Sequence, residues 1–158
     1  MAVDISKNAN HVIAFPSFIA SMMGQYGHVI NLEMQANADN GSLFKKGSYI
    51  KFEQYEADDV TDDDVVGVIR EASSEGGWYV EITALPAYQV FWAYNTPESP
   101  YPEKELRDEA LFYNAAGDVT QGGELHVGDM FSLSDAAFTG VIAEGKAVKY
   151  AGGKYVIQ

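Results

Sequence analysis

Cysteine is missing from the chain altogether. Its absence removes thiol nucleophiles, disulfide bridges and cysteine-ligated zinc together. Positive charge is scarce: 10 Lys plus Arg stand against 23 Asp plus Glu, a formal net charge of −13. Binding a phosphate backbone depends on Lys and Arg displacing counterions. The densest basic spot, Lys45-Lys46, is offset by Glu53, Glu56 and the aspartates that follow. Neither nucleic acid nor an anionic membrane is expected as a partner, whereas such acidity steers a protein toward basic surfaces.

Long apolar runs are also lacking. The most apolar early stretch, residues 12–23, is interrupted by Pro16 and falls short of the ~20 residues a bilayer demands. Residues 1–10 carry Asp4 and Lys7 with no apolar block, so no secretory signal is read. Histidine occurs at His11, His28 and His126 only, none in a Gly-x-Ser-x-Gly turn or beside a recognisable catalytic partner. Phosphate-cradling glycine motifs do not occur. The expectation is a protein that is not an enzyme, with no catalytic residue and no cofactor.

What is present suits a β-rich binding protein. A chain of 158 residues, 47% of them hydrophobic, is long enough to bury a core without metal or disulfide. Residues 1–27 are rich in Asn, Ser, Met and Gly and are read as an N-terminal arm. Ser17 is placed to cap a short helix carrying Phe18, Ile19, Met22 and Met23. That helix either packs on its own core or docks on a neighbour, and Met-rich apolar surfaces adapt well to partners.

From His28 the apolar period changes to two, and residues 28–158 read as a single mainly β domain. A barrel and a sandwich both fit, with one or two short helices. Strands are expected over 29–36, over 48–55 with Tyr49 to Phe52 at the centre, and over 65–71. Another is expected over 78–84, with Trp78, Val80 and Ile82 on one face. A strand over 125–133 contains a Gly128-Asp129 turn, and a terminal hairpin turns at Gly152-Gly153. Asp39-Asn40-Gly41 is a strong turn signal, and Gly76-Gly77 and Gly122-Gly123 are also read as turn glycines. Residues 104–113 form a short helix or a strand beginning near Ala110.

Two clusters invite chemistry. Asp58, Asp59, Asp62, Asp63 and Asp64 crowd an acidic loop, and oxygen-rich loops attract Ca²⁺. An EF-hand register from Asp62, however, puts Val66 and Ser73 where oxygen ligands belong, so a solvated turn is the preferred reading and no metal is assigned. Tyr88, Phe91, Trp92 and Tyr94, together with Tyr101, form an aromatic cluster suited to a core, a protein interface or a sugar platform.

One pattern resembles a family. Ala38-Asp39-Asn40-Gly41-Ser42-Leu43, then Lys46-Gly47, a strand, an acidic loop and Val66-Gly67-Val68-Ile69, is similar to the first half of small head-decoration proteins of tailed phages. Phe112-Tyr113-Asn114-Ala115-Ala116-Gly117-Asp118 and the run Leu125-His126-Val127-Gly128-Asp129-Met130-Phe131-Ser132-Leu133-Ser134 resemble the second half. Gly140 and Ala147-Val148 ahead of a glycine turn fit the close. The resemblance covers residues 28–158. It implies attachment to the outer surface of an assembled capsid in the virion, with the major capsid protein as partner and a homo-oligomer, favoured as a trimer. Contacts are expected from Phe15, Phe18, Met22 and Met23 in the arm, and from Tyr94, Pro97, Pro100 and Tyr101. The alternatives are another virion component such as a head-fibre base, or a carbohydrate-binding β module assisted by Ca²⁺.

Overall fold

The computed structural model describes residues 2–3, 11–19, 29–74, 76–95 and 112–158. Their strands are β1 (Ala2–Val3), β2 (Ala14–Phe18), β3 (Val29–Glu33), β4 (Leu43–Lys51), β5 (Gln54–Asp59), β6 (Val66–Ala72) and β7 (Trp78–Ala84). The rest are β8 (Phe91–Tyr94), β9 (Phe112–Tyr113), β10 (Val119–Glu124), β11 (Met130–Leu133), β12 (Phe138–Thr139), β13 (Ala147–Ala151) and β14 (Lys154–Ile157). The fold is mainly β, as expected. Five strands close a barrel in the order β10-β3-β5-β4-β8, seven form a sheet in the order β12-β14-β13-β6-β7-β11-β2, and β1 pairs with β9.

The barrel lies on the sheet through strands buried on both faces. Side chains alternate across a strand. In β8, Phe91 and Ala93 point into the barrel with Ile30, Leu32, Met34, Phe44 and Ala57. Trp92 points the other way, into the core shared with Val80, Ile82, Phe131 and Leu133 of the sheet. In β4, Phe44 faces the barrel interior and Leu43 the sheet. The Trp92 and Phe131 rings lie 5.3 Å apart. Fully burying one such side chain contributes roughly 3 kcal/mol of transfer free energy.

Several expectations need correction. Ser17 and Phe18 do not open a helix: they belong to β2, the edge strand of the seven-stranded sheet, with Phe18 opposite Met130. Pro16 is exposed there, as suits an edge, where a missing N–H is tolerated. Val12, Ala14 and Ile19 around it are buried in the main core. Among the described residues the helical content is a single 3-10 turn, Asp135–Ala137. Of the segment 104–113, Phe112 and Tyr113 form β9 and the remainder lies outside the described residues.

The strand expected over 48–55 is a hairpin. β4 starts at Leu43, and the chain turns at Phe52-Glu53, where Glu53 has φ 54°. Tyr49 to Phe52 therefore sit near its tip instead of mid-strand. The acidic stretch from Glu56 to Asp59 is part of β5 rather than a loop. Gly122-Gly123 make no turn: they lie within β10, where Gly122 pairs with Ile30 on one side and Ala93 on the other. A Cβ on Gly122 would come within 2.7 Å of Leu32 Cδ1, so the barrel has no room for a side chain there.

Candidate functional site

The turn after β3 is the hub of the molecule. Gly41 has φ +86°, and a Cβ there would meet Leu133 Cδ2 at 2.7 Å, so glycine is required on both counts. Tyr155 Oη donates to Gly41 O at 2.7 Å, and the Leu43 N–H donates to Tyr150 Oη at 3.2 Å. Burial pushes the Tyr150 phenol above its ordinary value, with the Asp59 and Asp39 carboxylates acting in the same direction. Burial drives Tyr155 well above it, and neighbouring Tyr150 adds to the shift. Both phenols therefore stay neutral and serve as fixed hydrogen-bonding groups.

Three asparagines complete the hub. Asn40 Nδ2 donates to Asn95 O at 2.8 Å, and the Asn95 N–H donates to Asn40 Oδ1 at 3.0 Å. Asn114 Nδ2 donates to Asn40 Oδ1 at 3.1 Å, and Asn95 Nδ2 to Asn114 Oδ1 at 3.1 Å. Asn40 and Asn114 are buried. The Asx–Gly pattern marked the turn, but no sequence signal showed that Asn95 and Asn114 converge on it.

Beside the hub opens a groove of about 470 Å³, lined among others by Gln35, Asn37, Asp39, Asp58, Asp59 and Tyr113. His11 Nδ1 lies 2.5 Å from Asp39 Oδ1, and its ring stacks on Tyr113 with centroids 5.0 Å apart. This contact joins the approach to β2, the hub turn and β9. His126 lies in a different turn, with Nε2 3.3 Å from Glu124 Oε1.

Two aspartates of the acidic stretch are engaged internally. Asp62 Oδ1 accepts the Gly152 N–H at 3.1 Å, and Asp64 Oδ2 accepts from Tyr88 Oη at 2.8 Å. Among the described residues no group of three His, Asp or Glu is placed to hold a metal ion.

The centre of the aromatic cluster faces inward: Phe91 and Trp92 are fully buried. Tyr94 is half-buried, stacked on Trp92 with centroids 5.5 Å apart and planes inclined by 10°. Phe15 is half-buried in β2 opposite Ser132. Phe18 is in the same strand, whereas Met22, Met23, Pro97, Pro100 and Tyr101 lie outside the described residues.

The aromatic surface that sequence reasoning missed is the β4–β5 tip. Phe52 is 83% exposed and Tyr49 64%, with Ile50 also exposed beside them. The tip is braced from within: the Tyr49 ring meets Tyr55 edge-on at 5.6 Å, and Lys46 Nζ lies 4.9 Å from the Tyr55 ring centroid. Gly47 and the register shifts between Lys46 and Lys51 mark the bulge that turns these side chains out. That glycine, directly after Lys45-Lys46, was the available signal.

The two Gly-Asp segments of the sequence pattern are the same turn used twice. Asp118 N–H donates to Ala115 O at 3.0 Å, and Asp129 N–H to His126 O at 3.0 Å. The Ala115 N–H donates back to Asp118 Oδ2 at 2.9 Å, and the His126 N–H to Asp129 Oδ2 at 2.8 Å. Gly117 and Gly128 have φ of +91° and +99°, the third position of a type II turn. Each turn delivers the chain into a strand, β10 or β11. No family model matches the sequence, and no curated protein or solved structure matches it either.

Proposed function

We propose that this chain is a non-catalytic decoration protein that binds the outer surface of a tailed-phage capsid and stabilises it by multivalent contact with the major capsid protein. The observation that carries this reading is the β4–β5 tip, which holds Phe52 and Tyr49 out to solvent while Phe91, Trp92 and Phe131 are buried. Aromatic side chains on a braced projection are suited to act as interface anchors. The resemblance of the turn-dominated segments to head-decoration proteins supplies the partner. One such contact is weak alone. Symmetry-related copies on a shell, and oligomerisation of the chain as a trimer, raise the effective concentration enough for stable attachment.

The arm residues Phe15, Phe18, Met22 and Met23, and the segment with Tyr94, Pro97, Pro100 and Tyr101, remain further contacts in this proposal. Mixing the purified protein with bare capsids and imaging them tests it. Added density at regular positions on the shell, lost in Phe52→Ser, is expected. Bare shells at saturating protein, or turnover of a substrate abolished by replacing a single acid or histidine, would overturn it.

A further inference from the structure

The barrel wall has a short seam. β3 and β5 run parallel and pair over only three positions, Asn31–Gln54, Leu32–Tyr55 and Glu33–Glu56. Beyond them β3 ends, and the chain that follows it pairs at Ala38 with Asn114 instead of with β5. β5 continues and stays paired with β4 through Ala57, Asp58 and Asp59. Among the described residues its other edge pairs with no strand beyond Glu56.

The direction of the backbone groups follows from the pleat. Glu53 O accepts the Asn31 N–H at 2.7 Å, so residue 53 faces β3. A Cβ on Gly47 of β4 would come within 2.7 Å of Glu56 O, so residue 56 faces β4. With a period of two, the backbone polar groups of Ala57 and Asp59 face the β3 side. The Ala57 carbonyl and the Asp59 N–H and carbonyl are thereby directed into the groove of about 470 Å³ between β5 and residues 35–38.

The groove also has a charge. Asp58 and Asp59 line it, together with Asp39, whose Oδ1 is bonded to His11. Lys154 lines it too, but its Nζ donates to Ala136 O at 2.7 Å, and the chain as a whole carries −13. An open strand edge is a template for another extended segment, and carboxylates on its rim select lysine and arginine.

We infer that this groove is a docking site for an extended, basic segment of a partner protein, which adds as a strand beside Ala57–Asp59. The site lies at the end of the β4–β5 hairpin opposite the Phe52 tip, and it does not depend on the shell-binding reading.

The test uses the isotope-labelled full chain and a blocked peptide of alternating lysine and valine, with a glutamate-for-lysine peptide as control. The lysine peptide is expected to bind with salt-sensitive affinity, to shift the Asp59 amide resonance and to slow its hydrogen exchange. Asp59→Pro deletes the groove-facing N–H while sparing the bonds to β4, and is expected to weaken binding by about tenfold or more. Asp58→Asn keeps the fold, lowers affinity and flattens the salt dependence. No binding at millimolar peptide, equal binding of the glutamate peptide, or an Asp59 amide already protected without peptide would overturn the inference. A dimer of this chain joined through the same edge would also overturn it, by identifying a different occupant.

Discussion

Asn95 and Asn114 bracket a stretch of sixty-odd ångströms of chain, if extended, and bring its two ends together: Asn95 Nδ2 donates to Asn114 Oδ1 at 3.1 Å, and both bond to Asn40. The same Asn95 amide reaches Thr120 Oγ1 at 3.3 Å. The described residues on either side of 96–111 are therefore joined at one clamped point.

This clamp predicts a large effect from a small change. Asn114→Ala leaves Asn40 and Asn95 short of partners in a buried setting, at a cost of roughly 2–4 kcal/mol. Urea unfolding is expected to show a lower midpoint with an unchanged slope. A double-mutant cycle of Asn95→Ala with Asn114→Ala is expected to be strongly non-additive.

The phenols under the hub turn set an alkaline limit. Tyr150 and Tyr155 both ionise at higher pH in the folded protein than in the unfolded chain. Above the ordinary tyrosine range the unfolded chain loses these protons while the folded chain keeps them. The stability they contribute is whole below that range and falls as pH rises through it. Tyr155→Phe is expected to make the high-pH decline shallower and, by losing the bond to Gly41 O, to lower stability at neutral pH by about 1 kcal/mol. Denaturant midpoints measured from neutral to strongly alkaline pH check both.

Phe52 and Trp92 should separate binding from folding. Phe52→Ser is expected to change stability by no more than about 0.5 kcal/mol, as exposed substitutions usually do, while reducing capsid attachment. Trp92→Ala removes a ring packed between barrel and sheet and is expected to cost about 3–5 kcal/mol. Thermal melts and capsid co-sedimentation, run on both variants, give the comparison.

Gly122→Ala tests the tightness of the barrel. The added methyl meets Leu32 Cδ1 and Phe91 Cβ, and overpacking of this kind costs typically 1–3 kcal/mol. Gly76→Ala makes no new contact within 4 Å, so its cost is expected to come from its positive φ alone and to be smaller. Equal losses would show that the barrel accommodates the methyl.

Deleting residues 1–27 is a poor probe of binding. It removes β2 together with the buried Val12, Ala14 and Ile19. The truncated chain is expected to unfold at lower denaturant, so point changes at Phe15 and Phe18 are the better test of contact by this segment.

Much of the β character was legible because period two survives wherever one strand face is buried. The strand with Trp78, Val80 and Ile82 and the terminal hairpin show this plainly. β10 was not legible: its sequence Val119-Thr120-Gln121-Gly122-Gly123-Glu124 buries Thr120, Gly122 and Gly123, small or polar residues that leave space for Leu32 and Phe91 instead of filling it. The tip was misread for the converse reason. Tyr49, Ile50 and Phe52 have strand-forming side chains, and only the bulge at Gly47 moves them from core to solvent. The clamp and the groove depend on residues far apart in the chain, which spacing alone does not connect.

The interleaving of the two β units has a consequence for how the molecule comes into being. The barrel draws strands from as early as Val29 and as late as Glu124, and the sheet from Ala14 to Ile157. No contiguous stretch encodes either unit, so a nascent chain cannot complete one before beginning the other. The barrel can close once β10 has emerged, but the sheet must wait for the last strands to leave the ribosome. Folding dominated by such distant pairings is slow, and premature termination anywhere before the final hairpin leaves β6 without its β13 partner.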